Sequence, residues 1–344
     1  MDKGSIQVAV FGAACCLLLA IPGLERQAVA HAAGPPAVEA VPIELDPETP
    51  GRRRIGGLTF LSGFELRSAD SRFGGLSGLA LSADGDSLYA VSDNGYWLTA
   101  RLRHDANGRL AGLTAWEIAP LLTPEGRVLR GQLRDAEALA RDQDGSLIVA
   151  FEHAHRVWRY PPPPAAFTAP AQPLRAPAEL ADAPANGGLE AVTVLPDGSL
   201  LALAEEFKNP DGSLKGWLIE KIGFALVSYL PSKGFSPTDL ATLASGDVLL
   251  LERRYSVISG PAARIRRLSG ASVRAAARLQ GEVIAQLELP LAVDNFEGLA
   301  VREDPEMGTL LYLISDDNFS PLQRTLLLQF RLDALFPPPH GGRD

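Results

Sequence analysis

Cysteine is nearly absent from this chain: 344 residues contain two, Cys15 and Cys16, adjacent to one another near the N-terminus. Thiol catalysis, cysteine-ligated metals and a disulfide framework are therefore excluded for everything beyond residue 16. Histidine is also scarce, with five in all, so an imidazole-rich metal centre is poorly supplied. There is no excess of basic charge. The net charge is −9, which argues against a nucleic-acid partner, because neutralising phosphates needs a basic face. Several catalytic signatures are missing as well. Gly75-Leu76-Ser77-Gly78-Leu79 fails the G-x-S-x-G pattern, and there is neither H-E-x-x-H nor a P-loop.

What is present is apolar and repetitive. Hydrophobic residues make up 46% of the chain, enough for a large core, and charged residues 21%. Residues 6–22 form one apolar run, short for a membrane span, followed by Ala28-Val29-Ala30 and Ala30-His31-Ala32. That pattern predicts a secretory signal peptide over 1–32, and hence a periplasmic or secreted protein with no membrane attachment once it is cleaved. Residues 33–55 read as a Pro/Ala-rich leader, and the domain as 56–336.

Five segments then align, beginning at Ser77, Glu137, Glu190, Thr238 and Glu297, with steps of 60, 53, 48 and 59 residues. Each holds a short apolar strand, a tight turn and a second apolar strand. Asp84-Gly85, Asp144-Gly145 and Asp197-Gly198 supply the positive φ such turns need. Runs such as Leu147–Phe151 are apolar on both faces, as expected for strands sandwiched between sheets. Each step has room for four strands, so the period predicts an all-β fold, a β-propeller of four-stranded blades. Five blades follow from the repeat count; six would require one to have lost its motif. The last repeat is a strand short, and 58–66 is expected to complete it beside 324–332 and close the ring. The proline-dense stretch 161–187 is expected as a surface loop or a lid, since it cannot enter a central strand.

Within each repeat the start of the first strand and the end of the second fall at the same end of the sheet. The start positions hold Ser77, Glu137, Glu190, Thr238 and Glu297, with Asp239 beside one of them. The return positions hold Asp93, Glu152, Glu205, Arg253 and Asp316. Innermost strands line a propeller's axis, so these groups should ring one mouth of the channel. Crowded carboxylates repel unless a cation or basic group intervenes. Hard oxygen ligands suit calcium or another hard divalent cation. Asp93, Glu152, Glu205 and Asp316 are the expected ligands, and Glu137, Glu190 and Glu297 the expected catalytic acids. Arg134, Arg253, Arg254 and Arg324 are the basic partners in reach of such a ring, and Arg253, Arg254 and Arg324 the expected anion clamp. Structural ties to backbone N–H groups would produce the same repetition of acids. His153 and His155, two apart on an expected strand, would face one side together.

The segments NGGLEAV (186–192), FSPTDLATL (235–243), LLLERR (249–254), DNFEGLAV (294–301) and SDDNFSPLQRTLLLQF (315–330) resemble the bacterial phytase-like family, whose name points to an esterase-like activity of phytase. The resemblance spans Leu58 to Leu332. It implies phosphoester hydrolysis on a propeller, with calcium held by channel carboxylates; the expected ligand is a small phosphate ester or other anion, and the expected state a monomer. A non-catalytic binding propeller and a metal-dependent lactonase or carboxylesterase are the alternative expectations, because fold alone does not fix function.

Overall fold

The computed structural model describes residues 36–333 except Lys233. The expected signal peptide, with Cys15 and Cys16, lies outside the described residues. Among those described, no helix is long and apolar enough to cross a membrane.

Five sheets, antiparallel except for one short edge pair, form a five-bladed propeller. Blade I comprises Leu76–Leu81, Ser87–Ser92, Tyr96–His104 and Leu110–Pro120. Blade II comprises Ala136–Arg141, Leu147–Phe151, Arg156–Tyr160 and the two-residue Gln172–Pro173. Blade III comprises Leu189–Val194, Leu200–Lys208, Leu214–Ile219 and Phe224–Tyr229, with Arg278–Leu279 added in parallel at its outer edge. Blade IV comprises Ser236–Thr242, Val248–Ser256, Gly260–Leu268 and Glu282–Glu288. Blade V is assembled from both ends of the propeller: Asn295–Asp304, Gly308–Asp316 and Thr325–Leu332 are completed by Leu58–Ser68. The closing register runs antiparallel from Thr325↔Leu66 to Leu332↔Leu58, as the strand count predicts. Part of the expected leader is also strand. Val38–Pro42 pairs with the closing strand, Val38↔Ser68 to Pro42↔Phe64, and covers its outer edge.

The turns follow their residues. Gly85, Gly145 and Gly198 have φ of 74°, 87° and 83°, a region a side chain resists. The preceding aspartates accept from the backbone two residues on, for example Ser199 N to Asp197 Oδ1 at 2.9 Å. Leu147–Phe151 is buried at every position, because each face meets a neighbouring blade. The interblade cores are built mainly from leucine, valine and alanine, with aromatic plugs such as Trp97 against Tyr160, ring centroids 5.1 Å apart. Each fully buried large side chain contributes roughly 1.5–3 kcal/mol, so stability is spread over five such layers.

Residues 161–187 are pinned to the surface. They supply the edge strand Gln172–Pro173, where proline removes no central hydrogen bond. Leu180 is buried, and Glu179 accepts from Lys215 Nζ at 3.1 Å and Trp217 Nε1 at 2.5 Å. The far end of the stretch, Asn186 and Gly187, reaches the mouth of the channel.

Candidate functional site

The innermost strand of every blade carries one β-bulge. The register shifts between Leu76 and Gly78, Ala136 and Ala138, Leu189 and Ala191, Pro237 and Asp239, and Phe296 and Gly298. The skipped residues are Ser77, Glu137, Glu190, Thr238 and Glu297, the five start positions of the repeat. A bulged residue is released from the alternation of the strand and re-aimed. Four of these five side chains line a cavity of about 240 Å³ at one end of the channel. The fifth, Thr238, is buried, and its hydroxyl donates to the Phe296 carbonyl at 3.1 Å. All five return positions, Asp93, Glu152, Glu205, Arg253 and Asp316, line the same cavity.

The wall thus holds Asp93, Asp135, Glu137, Glu152, Glu190, Glu205, Glu297 and Asp316 against one arginine, Arg253. Ligand oxygens of Asp135, Glu137 and Glu152 lie within 4.8 Å of one another. Burial raises the Glu137 carboxyl well above its ordinary range, and the charges of Asp135 and Glu152 add to it. Glu190 is raised in the same way by burial, then by Glu137 and Glu152. Asp93 is pushed up to about 7 by burial and by Asp316 and Asp135, and Asp316 to about 6 mainly by burial. Glu297 reaches about 8 through burial, although Arg253 opposes the shift.

Arg253 is a clamp within the wall. Its Nη2 donates to Glu205 Oε1 at 3.0 Å, Nη1 to Asn295 Oδ1 at 3.2 Å, and Nε lies 3.0 Å from Glu297 Oε1. Glu152 Oε1 accepts from the N–H groups of Gly187 and Gly188, so one acid of the triad is also a structural tie.

Three sequence expectations need correction. Arg254, one residue after Arg253, points to the opposite face of the strand; its guanidinium stacks over Phe235 at 4.8 Å and lies 3.9 Å from Glu288. Arg324 is held by Asp294 at 3.6 Å, outside the cavity wall, and Arg134 is exposed beside Gly95. The expected three-arginine clamp is therefore reduced to Arg253. Asp239 is not part of the ring either: it is fully buried and accepts from Leu240 N at 2.8 Å and Leu299 N at 2.6 Å, tying blade IV to blade V. His153 and His155 do not act together, because residues 152–155 form a turn, not a strand. His153, at φ 55°, lies 3.0 Å from Asp135, whereas His155 meets the Pro184 carbonyl at 2.9 Å.

Asp135, Asn186, Asn295 and Asn318, together with His153, complete the wall, and the first four were not among the expected site residues. Asp135 and Asn295 each sit two residues before a bulged glutamate, a spacing visible in the sequence. Asn186 and Asn318 come from connecting loops, which carry no repeat signal.

Residues 71–319 match the profile of a family described as "Phytase-like: Esterase-like activity of phytase". The chain belongs to the phytase-like family. No curated protein matches it. Among solved structures, this phytase-like chain is similar to a candidate gluconolactonase (14% identity, 86% of this chain and 93% of the other, TM-score 0.44). It is similar as well to a chain of a nidogen/laminin complex (13%, 77% and 85%, TM-score 0.42) and to a gluconolactonase from Xanthomonas campestris (12%, 87% and 99%, TM-score 0.40).

The donor set of this phytase-like mouth fits a hard divalent cation. It offers carboxylate and amide oxygens, one imidazole, His153, and no thiolate. Asp93 Oδ1 is buried in the wall without a hydrogen-bond partner, an oxygen that a cation would satisfy.

Proposed function

We propose that this phytase-like propeller is a divalent-cation-dependent hydrolase of phosphate esters, working at the acidic mouth. The observation that carries the reading is the convergence of Asp135, Glu137 and Glu152 inside a wall of eight carboxyls with a single arginine. A phosphate monoester is an anion and is repelled by such a wall unless a cation inverts the local field. Asp135, Glu137 and Glu152 are the residues placed to hold calcium or magnesium. The bound ion would supply charge stabilisation and a more acidic water.

The chain's own residues do the rest. Arg253 holds Glu205 and Glu297 in fixed positions and keeps part of the wall neutralised. The Gly187 and Gly188 N–H groups orient Glu152. Glu190 is buried next to the triad, and burial, with the charges of Glu137 and Glu152 adding to it, raises its carboxyl well above the ordinary range and favours the protonated form. That makes it the group suited to protonate the leaving alcohol oxygen. Glu137, first expected as a catalytic acid, is grouped here with the ligands.

The single lining arginine favours one second reading, a carboxylesterase or lactonase. A carbonyl oxygen needs one Lewis-acid contact and no arginine clamp. One screen separates the readings: purified protein with calcium, magnesium or manganese against phosphate esters, carboxylate esters and lactones. Phosphate-ester turnover that is abolished by EDTA and by Glu137→Gln is expected, while Glu190→Gln should lower kcat by roughly 10²–10⁴-fold and keep calcium binding. Turnover confined to carboxylate esters or lactones would favour the second reading, and calcium binding without any turnover would make the mouth a binding site only.

A further inference from the structure

The loop between the second and third strands of blade V carries two consecutive non-glycine residues in the left-handed region, Asn318 at φ 47° and Phe319 at φ 49°. Bulky residues avoid that region, and a conformation of this kind persists only where its surroundings enforce it. Here the enforcement is explicit. Asn318 N donates to Asp316 Oδ1 at 2.7 Å, and Phe319 N to Asp317 Oδ1 at 3.1 Å. Asp317 is itself held by Gly75 N and by the Thr325 hydroxyl, each at 3.1 Å.

The result places two different side chains at the lip. Asn318 lines the acidic cavity. Phe319 lies with its ring on the backbone of Gly74 and Gly75, and remains 41% exposed. A methyl group on Gly75 would overlap both the Phe319 ring and Asp93 Oδ1. The exposed ring and the unpartnered cavity oxygen therefore flank the same glycine. Neither interblade core needs this ring, since it packs on backbone and not within an apolar cluster. The same loop also exposes Leu322, and on the same end of the propeller the blade IV hairpin runs three residues past Arg253, about 10 Å, to an exposed Val257-Ile258 tip.

We propose that Phe319 is a specificity-determining residue: it forms the apolar wall of a subsite beside the acidic mouth, and the mouth takes esters that carry an aromatic or similarly large apolar group. This rests on the proposed hydrolase reading for its catalytic part only. The charged end of such a ligand would face the cation-bearing carboxyls, and its apolar end would cover the exposed face of the Phe319 ring.

Titration calorimetry in millimolar calcium with phenylphosphonate and methylphosphonate tests this without requiring turnover. The wild-type protein should bind the phenyl compound roughly two- to tenfold more tightly than the methyl compound, the range of an aromatic pair. Phe319→Ala should erase that ratio and leave methylphosphonate affinity unchanged. Phe319→Asn, which tolerates the left-handed backbone, repeats the test with the loop conformation preserved. Equal affinities in the wild type, a ratio that survives in both variants, or no binding of either phosphonate would overturn the subsite. A phenyl preference lost in the variants, in a protein that hydrolyses no phosphate ester, would leave the subsite standing and reject the hydrolase.

Discussion

One step beyond the bulge, four of the five innermost strands carry a residue no larger than alanine, and at two of these positions a neighbouring blade leaves no room for a side chain. Gly78, Ala138, Ala191 and Gly298 occupy the position in four blades. A methyl group on Gly78 would lie 2.6 Å from the Leu139 backbone N, and one on Gly298 would lie 2.8 Å from Leu79 Cβ. In blade IV the position is Asp239, which crosses the gap and accepts the Leu299 N–H of blade V. Burial drives its carboxyl well above the ordinary range, and the two backbone N–H groups oppose that shift. Asp239→Ala removes the acceptor while leaving the N–H buried, a cost of about 1–3 kcal/mol. A urea titration should show a lower midpoint with an unchanged slope. An unchanged midpoint would mean that the tie adds nothing to stability.

At the scale of the element, closure of blade V joins residues far apart in the chain. The Leu58–Ser68 strand pairs with Thr325–Leu332, and Phe60 meets Phe330 with ring centroids 5.6 Å apart. Leu326, Leu327, Leu328 and Phe330 are all fully buried under that strand. Without it, an apolar strand would present an open edge to solvent. A chain that starts after residue 68 should therefore lose its cooperative thermal transition or precipitate. If it melts with the same midpoint as a chain starting at residue 36, closure contributes no stability and this account of the ring is wrong. The closing strand was legible in the sequence because the last repeat lacked one strand. The covering strand Val38–Pro42 was not, since five residues among prolines and acids give too little alternation to separate a strand from a leader.

For the whole molecule, the acidic mouth couples stability to pH and to cations. Glu297, Asp93 and Asp316 have folded-state values of about 8, 7 and 6, above the ordinary carboxyl range. The folded chain thus holds protons that the unfolded chain has released between about pH 4 and pH 8. Stability must then fall as pH rises through that window. In EDTA the melting temperature should drop from pH 5 to pH 8. Calcium favours the ionised carboxylates, so millimolar calcium should restore the loss at pH 8 and have little effect at pH 5; a site at 100 times its dissociation constant adds about 2.7 kcal/mol. Identical melting curves with EDTA and with calcium at pH 8 would show that the acids are structural ties, and would remove the main support for a cation-dependent enzyme.

Sequence alone determined the propeller of four-stranded blades, the turn chemistry and the ten positions that alternate around the ring, because each is a local pattern repeated along the chain; the repeat count favoured five blades, and the sheet topology decided between five and six. It could place Glu137, Glu190, Glu297, Asp93, Glu152, Glu205 and Asp316 at one mouth without any knowledge of distance. It could not decide which neighbours share that mouth. Arg253 and Arg254 are adjacent in the chain yet face opposite sides, since side chains alternate along a strand. Asp239 and Glu297 read alike as ring acids, but only packing shows that one bridges two blades and the other lines the cavity. Asp135, Asn186, Asn318 and Phe319 gained their places from bulges and loops whose course depends on the neighbouring blade. Tertiary structure decided those, because loop geometry is set by contacts between residues distant in sequence.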